Sequence, residues 1–249
     1  MKDSTNSKKA ITWLSLAHFT SDTYAGFLNP IMPFIAVKIG ITMAVATVIM
    51  SIAQICASIF QPIFGFWADN IYKRTFIFWG LLFETMFIPI APQANNIFIL
   101  TLCIILGNLG GSFFHPQALG FVGKFVKGEN FIQTMAMFIS VGTIGFAFGP
   151  LLSSLITQHF GLTKIIYTSI VGLVLAFLMF KCVPKLSLNP VKPVKKQFFK
   201  TFRIILSNKF MLILIVIAMM KSLITNSCTI LLPFLWKSLG YKPTYIGTA

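Results

Sequence analysis

An all-α, multi-pass membrane helical bundle is predicted by three features of the 249-residue sequence: 56% of residues are hydrophobic, only 10% are charged, and the charges gather in short segments between long apolar runs. Soluble domains carry about 25% charged residues, so a chain of this composition takes lipid as its solvent. A helix that crosses a bilayer needs about 20 mostly apolar residues. Segments of that kind lie at 10–37, 42–68, 75–93, 95–121, 131–156, 163–180 and 210–236. Barrel strands would instead alternate over about 10 residues.

The first segment follows Lys2, Lys8 and Lys9, as the core of a signal peptide would. Its apolar run is far too long for a cleavable core, so it is predicted to stay as the first span. With the N-terminus placed in the cytoplasm, 15 of the 20 cations fall on the cytoplasmic side. They include Lys73 and Arg74, Lys124 and Lys127, and eight between Lys181 and Lys209. Lys38, Lys164, Lys237 and Lys242 fall outside, and Lys221 lies within the seventh span. Retention of cations on the cytoplasmic face predicts this orientation, in a bacterial inner (plasma) membrane.

A net charge of +15 also characterises nucleic-acid binders, but those cluster their basic residues on a polar domain; here apolar spans separate them, which excludes that class. Cys56, Cys103, Cys182 and Cys228 sit in or beside apolar stretches without CxxC spacing, and read as small core residues, not as a disulfide or metal set.

Residues 181–209 carry Pro184, Pro190 and Pro193, eight cations and no acid. They predict a cytoplasmic basic linker between a six-helix half, 1–180, and the start of a second half, 210–249. Within the linker Phe198, Phe199, Phe202, Ile205 and Leu206 recur with helical period opposite Lys196, Lys200 and Arg203. That pattern suits a helix lying on anionic membrane lipid, and equally a solvated loop whose cations set topology. Pro33, Phe34 and Gly40 near the end of the first span match Pro233, Phe234 and Gly240 near the end of the seventh. The equal spacing predicts two equivalent halves, with an eighth span beginning near Tyr245.

Three motifs carry a family likeness. Gly65, Asp69, Lys73 and Arg74 stand between the second and third spans. There a glycine permits close helix approach, an acid can bond orphan N–H groups of a neighbouring helix end, and the basic pair meets the headgroups. In the fifth span Gly142, Gly145, Gly149 and Pro150 supply small residues at near four-residue spacing plus a bend. The fourth span contains Gly107-Asn-Leu-Gly-Gly-Ser-Phe-Phe114-His115-Pro116.

The first motif resembles the loop motif of the major facilitator superfamily, in which the acid and the basic pair hold one conformation together; Tyr72 replaces a usual second glycine. The second resembles the superfamily's exporter and antiporter motif, with Ser153 and Ser154 where glycines are usual. The Phe114-His115-Pro116 string, with Gln61-Pro62, His18 and Asp22, resembles the fosmidomycin resistance protein family of drug exporters over nearly the whole chain. Gln117 stands where that family usually has an acid, which removes an ionisable group there.

The ionisable residues inside the spans are His18, Asp22, Glu84, His115 and Lys221. A charge at mid-bilayer costs at least about 2.5–3.5 kcal/mol, so such groups are expected on a proton or substrate pathway or in pairs. The half-repeat sets positions 21 and 221 at equal depth, and the resemblance implies that the first and seventh helices line a central cavity. An Asp22–Lys221 pair joining the halves is therefore expected. His18 and Asp22, four apart, share a helix face, either for coupling or for a structural hydrogen bond. Glu84 is expected in an interhelical hydrogen bond in its neutral form. His115 is expected to bond a carbonyl freed by Pro116, or to contact substrate.

No phosphate-binding GxxxxGK[ST], HExxH or GxSxG motif is present, so neither an enzyme nor a cofactor is expected. The resemblance implies proton-coupled efflux of a small molecule or drug by alternating access, energised by a proton gradient. An importer of a sugar or organic anion held by Lys221 is the second expectation, and a truncated, non-transporting remnant the third. The superfamily's two repeats imply about twelve helices, so a C-terminal half or a second copy is expected to complete the cavity.

Overall fold

The computed structural model describes residues 2–70, 74–126, 128–183 and 198–248. Long helices dominate: α1 (Lys2–Ile39), α2 (Met43–Asn70), α3 (Arg74–Ile90), α4 (Ile97–Phe125), α5 (Phe131–His159), α6 (Thr168–Cys182) and α8 (Lys209–Ser238). A short α7 (Phe198–Ser207) precedes α8, and α9 (Pro243–Thr248) follows it. Asn96 begins α4 by accepting the Ile99 N–H at 2.9 Å, and Asn208 begins α8 by accepting from Phe210 and Met211.

Six segments among the described residues are long and apolar enough to cross a membrane: Met43–Trp67, Arg74–Gln93, Ile97–Phe125, Phe131–His159, Leu162–Cys182 and Lys209–Ser238. The first expected span is not among them. At 38 residues α1 is ample in length, but its middle carries His18, Thr20, Ser21, Asp22 and Thr23. Three of these, Thr20, Ser21 and Thr23, are at most 6% exposed. Composition alone underrates α1 because its polar groups face its neighbours. By contrast α2, α5 and α6 turn residues such as Ile55, Ile59, Ile144, Val171 and Phe177 outward. Such a surface is stable only in lipid.

The principal packing partners are α1 with α5, α4 with both α2 and α3, and α3 with α6. Two apolar clusters fill the interior. One surrounds Phe27, Ile31 and Ile35 together with Ile49, Ile88 and Ile104. The other surrounds Leu14, Ile77, Leu81, Phe114, Phe121 and Phe138. The polar residues 18–23 of α1 lie between them.

The glycines of α5 set the α1–α5 distance. A Cβ at Gly145 would overlap the Phe19 carbonyl oxygen, and one at Gly149 would overlap that of Thr23. From the other side, a Cβ at Gly26 would lie 2.7 Å from the Phe146 oxygen and 2.8 Å from Pro150 Cδ. Gly65 differs from expectation: a Cβ there would meet only Pro116, at an ordinary 3.7 Å, so no close helix approach depends on it. Arg74 fastens the start of α3 to the end of α6, donating to the Val183 carbonyl at 2.7 Å and covering the Phe180 ring. Lys73 and the Asp69 side chain lie outside the described residues, as does linker segment 184–197.

The half-repeat is present in the backbone. Gly40 and Gly240 both have positive φ, 73° and 83°. Gly40 N–H bonds the Val37 carbonyl and Ile41 N–H that of Ala36; Gly240 bonds Lys237 and Tyr241 bonds Trp236. These are the paired bonds of a glycine-terminated helix, and the next helix begins three residues on in both, at Met43 and at Pro243. The eighth helix therefore starts just before the expected Tyr245. At this end the two parts touch: Lys237 lies 4.8 Å from the Phe34 ring centre, and Gln158 accepts from Thr244 N–H at 3.1 Å.

Gly149→Ala is expected to cost about 1–3 kcal/mol by overpacking, while Gly65→Ala should stay within about 0.5 kcal/mol of the parent. Thermal unfolding of the two variants in detergent micelles measures the difference.

Candidate functional site

The site begins on α1, where helical spacing stacks His18 over Asp22. His18 Nε2 lies 3.3 Å from Asp22 Oδ2. Its other ring nitrogen, Nδ1, is 3.0 Å from the carbonyl of Phe138 on α5. A carbonyl only accepts, so Nδ1 carries a proton, and Nε2 bonds Asp22 when a second proton lies between them on either partner. The imidazole also stacks on the Phe138 ring at 4.3 Å. Gly142 makes room for this: a Cβ there would strike both the His18 ring and the Asp22 carboxylate.

His115 arrives from α4. Its Nε2 lies 3.5 Å from Asp22 Oδ1, and its ring meets that of His18 edge-on at 5.4 Å. The carbonyl bond expected beside Pro116 is replaced by this approach to Asp22, because the ring is turned into the bundle interior. Phe114 is fully buried in the core, its ring 6.0 Å from that of His18.

Glu84 lies one helix away, on α3, 2% exposed, and accepts a hydrogen bond from Ser21 Oγ on α1. That is the expected interhelical bond. Its backbone packs on α4 at Gly110, where a Cβ would come within 2.7 Å of Glu84 N. The buried Gln117 keeps its amide nitrogen without a partner.

These groups face a cavity of about 400 Å³. Asp22, Glu84 and His115 line it together with amides of Asn29, Gln54, Gln61, Asn108 and Asn226. Among the described residues its wall contains two carboxyl groups and no lysine or arginine. Lys221 is exposed on α8 and outside that wall. Asp22 is approached instead by His18 and His115. The Asp22–Lys221 pair is thus corrected, and the repeat supplies the reason. Offset by 200, Lys221 corresponds to Ser21, which turns inward within its own half toward Glu84 and not across to the other.

A helical half-bundle whose fifth helix is pressed on its first through glycines, with an internal repeat after the sixth, is matched over residues 14–249 by the sequence model of the Major Facilitator Superfamily. The chain belongs to that superfamily. It is 24% identical over 148 residues to the fosmidomycin resistance protein of Escherichia coli K12, a match covering 59% of this chain and 36% of the relative. It is 24% identical to the multidrug resistance protein MdtG of Escherichia fergusonii, covering 83% of this chain and 51% of that one. A probable nitrate transporter, NarT of Staphylococcus epidermidis, is 26% identical, covering 76% and 51%. The chain thus spans about half or less of the length of these curated relatives. The fold resembles a crystal structure of a POT family transporter in complex with a thioalcohol-conjugated peptide, with TM-score 0.58, 18% identity, and coverage of 87% of this chain and 47% of that one.

The amides of the wall and Ser21 escape a reading that counts only ionisable groups. Asn29 and Gln54 are polar residues within apolar spans, and that signal would have found them, while Gln61 and Asn108 entered only as parts of the family strings. The role of the Phe138 carbonyl has no signal in the sequence.

Ser21→Ala is expected to destabilise the bundle by about 1–3 kcal/mol, because it strips a buried carboxyl of its donor. Unfolding in detergent, compared with Glu84→Gln, which keeps an acceptor oxygen, checks this: the glutamine variant should lose less.

Proposed function

We propose that this chain forms the first half, and the start of the second, of a proton-coupled exporter of small molecules or drugs that works by alternating access in a bacterial inner membrane. The observation that carries the reading is Asp22, a carboxylate between two imidazoles on the wall of a cavity inside an apolar bundle. A carboxylate so placed exchanges a proton only when the cavity admits water from one side, and proton exchange changes its contacts with His18 and His115. Since His18 is on α1 and His115 on α4, those contacts link the two helices, and protonation biases their relative position.

Orientation follows from the charge distribution: with the cations of the linker in the cytoplasm, the α8–α9 turn and its contacts with Phe34 and Gln158 lie at the periplasmic end. The halves meet at that end, which describes a conformation closed to the outside. The drug-resistance names of two relatives support efflux.

Transport of an anion, as in the second expectation, draws support from the relative named as a probable nitrate transporter. The carboxylate-bearing wall, without lysine or arginine, argues against an anion held by this half, and Lys221 is not positioned to supply the charge.

In inverted membrane vesicles given an inward-acidic gradient, Asp22→Asn is expected to lower proton-driven drug accumulation by at least about tenfold. Accumulation unchanged by the substitution would show that Asp22 does not couple protons to transport.

A further inference from the structure

The three donor atoms around Asp22 have the spacing of a metal site. Charge-assisted hydrogen bonds between an imidazole and a carboxylate run about 2.7–2.9 Å. Here the separations are 3.3 Å and 3.5 Å, long for such bonds. Ligands about 2.0–2.2 Å from a tetrahedral ion stand about 3.3–3.6 Å from one another, and each imidazole nitrogen stands at that distance from one of the two Asp22 oxygens, His18 from Oδ2 and His115 from Oδ1. One donor atom from each of His18, Asp22 and His115 lies within 4.8 Å of the others, so the set closes on one ion with shifts of about 1 Å. We propose that His18 Nε2, Asp22 and His115 Nε2 bind a divalent first-row transition-metal ion such as Zn²⁺, its fourth position open to the cavity.

Three further features support the assignment. His18 donates Nδ1–H to the Phe138 carbonyl, the outer bond that holds a ligating imidazole in the correct tautomer and aims Nε2 at the ion. Gly142 keeps the space behind His18 and Asp22 clear. Charge is favourable as well: Asp22 supplies a negative charge to the ion, and among the described residues no lysine or arginine lines the cavity to repel it. Two imidazoles among three donors select a zinc-like ion over Mg²⁺ or Ca²⁺, which require mostly oxygen ligands. The site stands on this geometry alone and does not depend on the direction of transport or on its substrate.

The test is Co²⁺ titration of the purified, tag-free chain in detergent, followed by visible d–d absorption, with Zn²⁺ as competitor. One Co²⁺ per chain with an intense four-coordinate spectrum, displaced by Zn²⁺, is expected. His18→Gln, Asp22→Asn and His115→Gln should each weaken binding by at least about tenfold. His115→Cys should retain binding and add a thiolate-to-cobalt charge-transfer band, which a variant that merely misfolds does not show. Replacing Cys56, Cys103, Cys182 and Cys228 with serine should leave the spectrum unchanged. Absence of saturable absorption in the parent chain, absorption insensitive to all three ligand substitutions, or absorption lost with the cysteines would overturn the assignment.

Discussion

A polar group inside a hydrocarbon layer must find a partner or reach water, and the fold is arranged around that requirement. The middle of α1 carries five polar side chains within residues 18–23, interrupted only by Phe19. Each is disposed of locally. Thr20 and Thr23 donate to the carbonyls of Leu16 and Phe19, four residues back. Ser21 goes to Glu84, His18 to the Phe138 carbonyl, and Asp22 to two imidazoles. To make these bonds α1 needs α3, α4 and α5 all close at the same depth. The glycines of α5 and Gly110 of α4 allow that proximity, so small residues and buried polar groups are two parts of one arrangement.

The apolar clusters above and below this layer have a different task. They pack the helices together on either side of the polar layer, leaving the cavity wall as the place where Asp22 and Glu84 face a polar interior. Where the second half begins, the same turn recurs, down to both hydrogen bonds of its glycine terminus. Contacts of that turn with Phe34 and Gln158 join the halves at the end remote from the linker. The 30 residues of α8 are buried only near Pro233 and Phe234, so its contact with the first half is concentrated at one end. A helix fastened at one end is suited to tilt about it.

Much of this was legible in the sequence because bilayer thickness imposes length and composition on each span. The helices fall where low-charge runs fall, and the matching Pro-Phe…Gly spacings foretold a turn that the backbone repeats. The His18–Asp22 contact was legible because four residues make one helical turn. His115 was not, since its approach to Asp22 depends on how α4 crosses α1, which no local pattern encodes. Lys221 misled for a related reason: depth can be inferred from a repeat, but the direction a side chain takes around the helix requires register to the residue. Its counterpart is Ser21, and one residue on a helix is about 100° of rotation. Gly65 misled because a glycine in a motif says nothing of what stands opposite.

The account rests on Asp22 lying between His18 and His115. Solid-state NMR on ¹³C,¹⁵N-labelled protein in liposomes measures it directly, through the distances from the Asp22 carboxyl carbon to the imidazole nitrogens. Both Nε2 atoms should be found within about 4–5 Å of that carbon. A carboxyl distant from both rings, or one dipolar-coupled to the Lys221 ammonium instead, would contradict the arrangement.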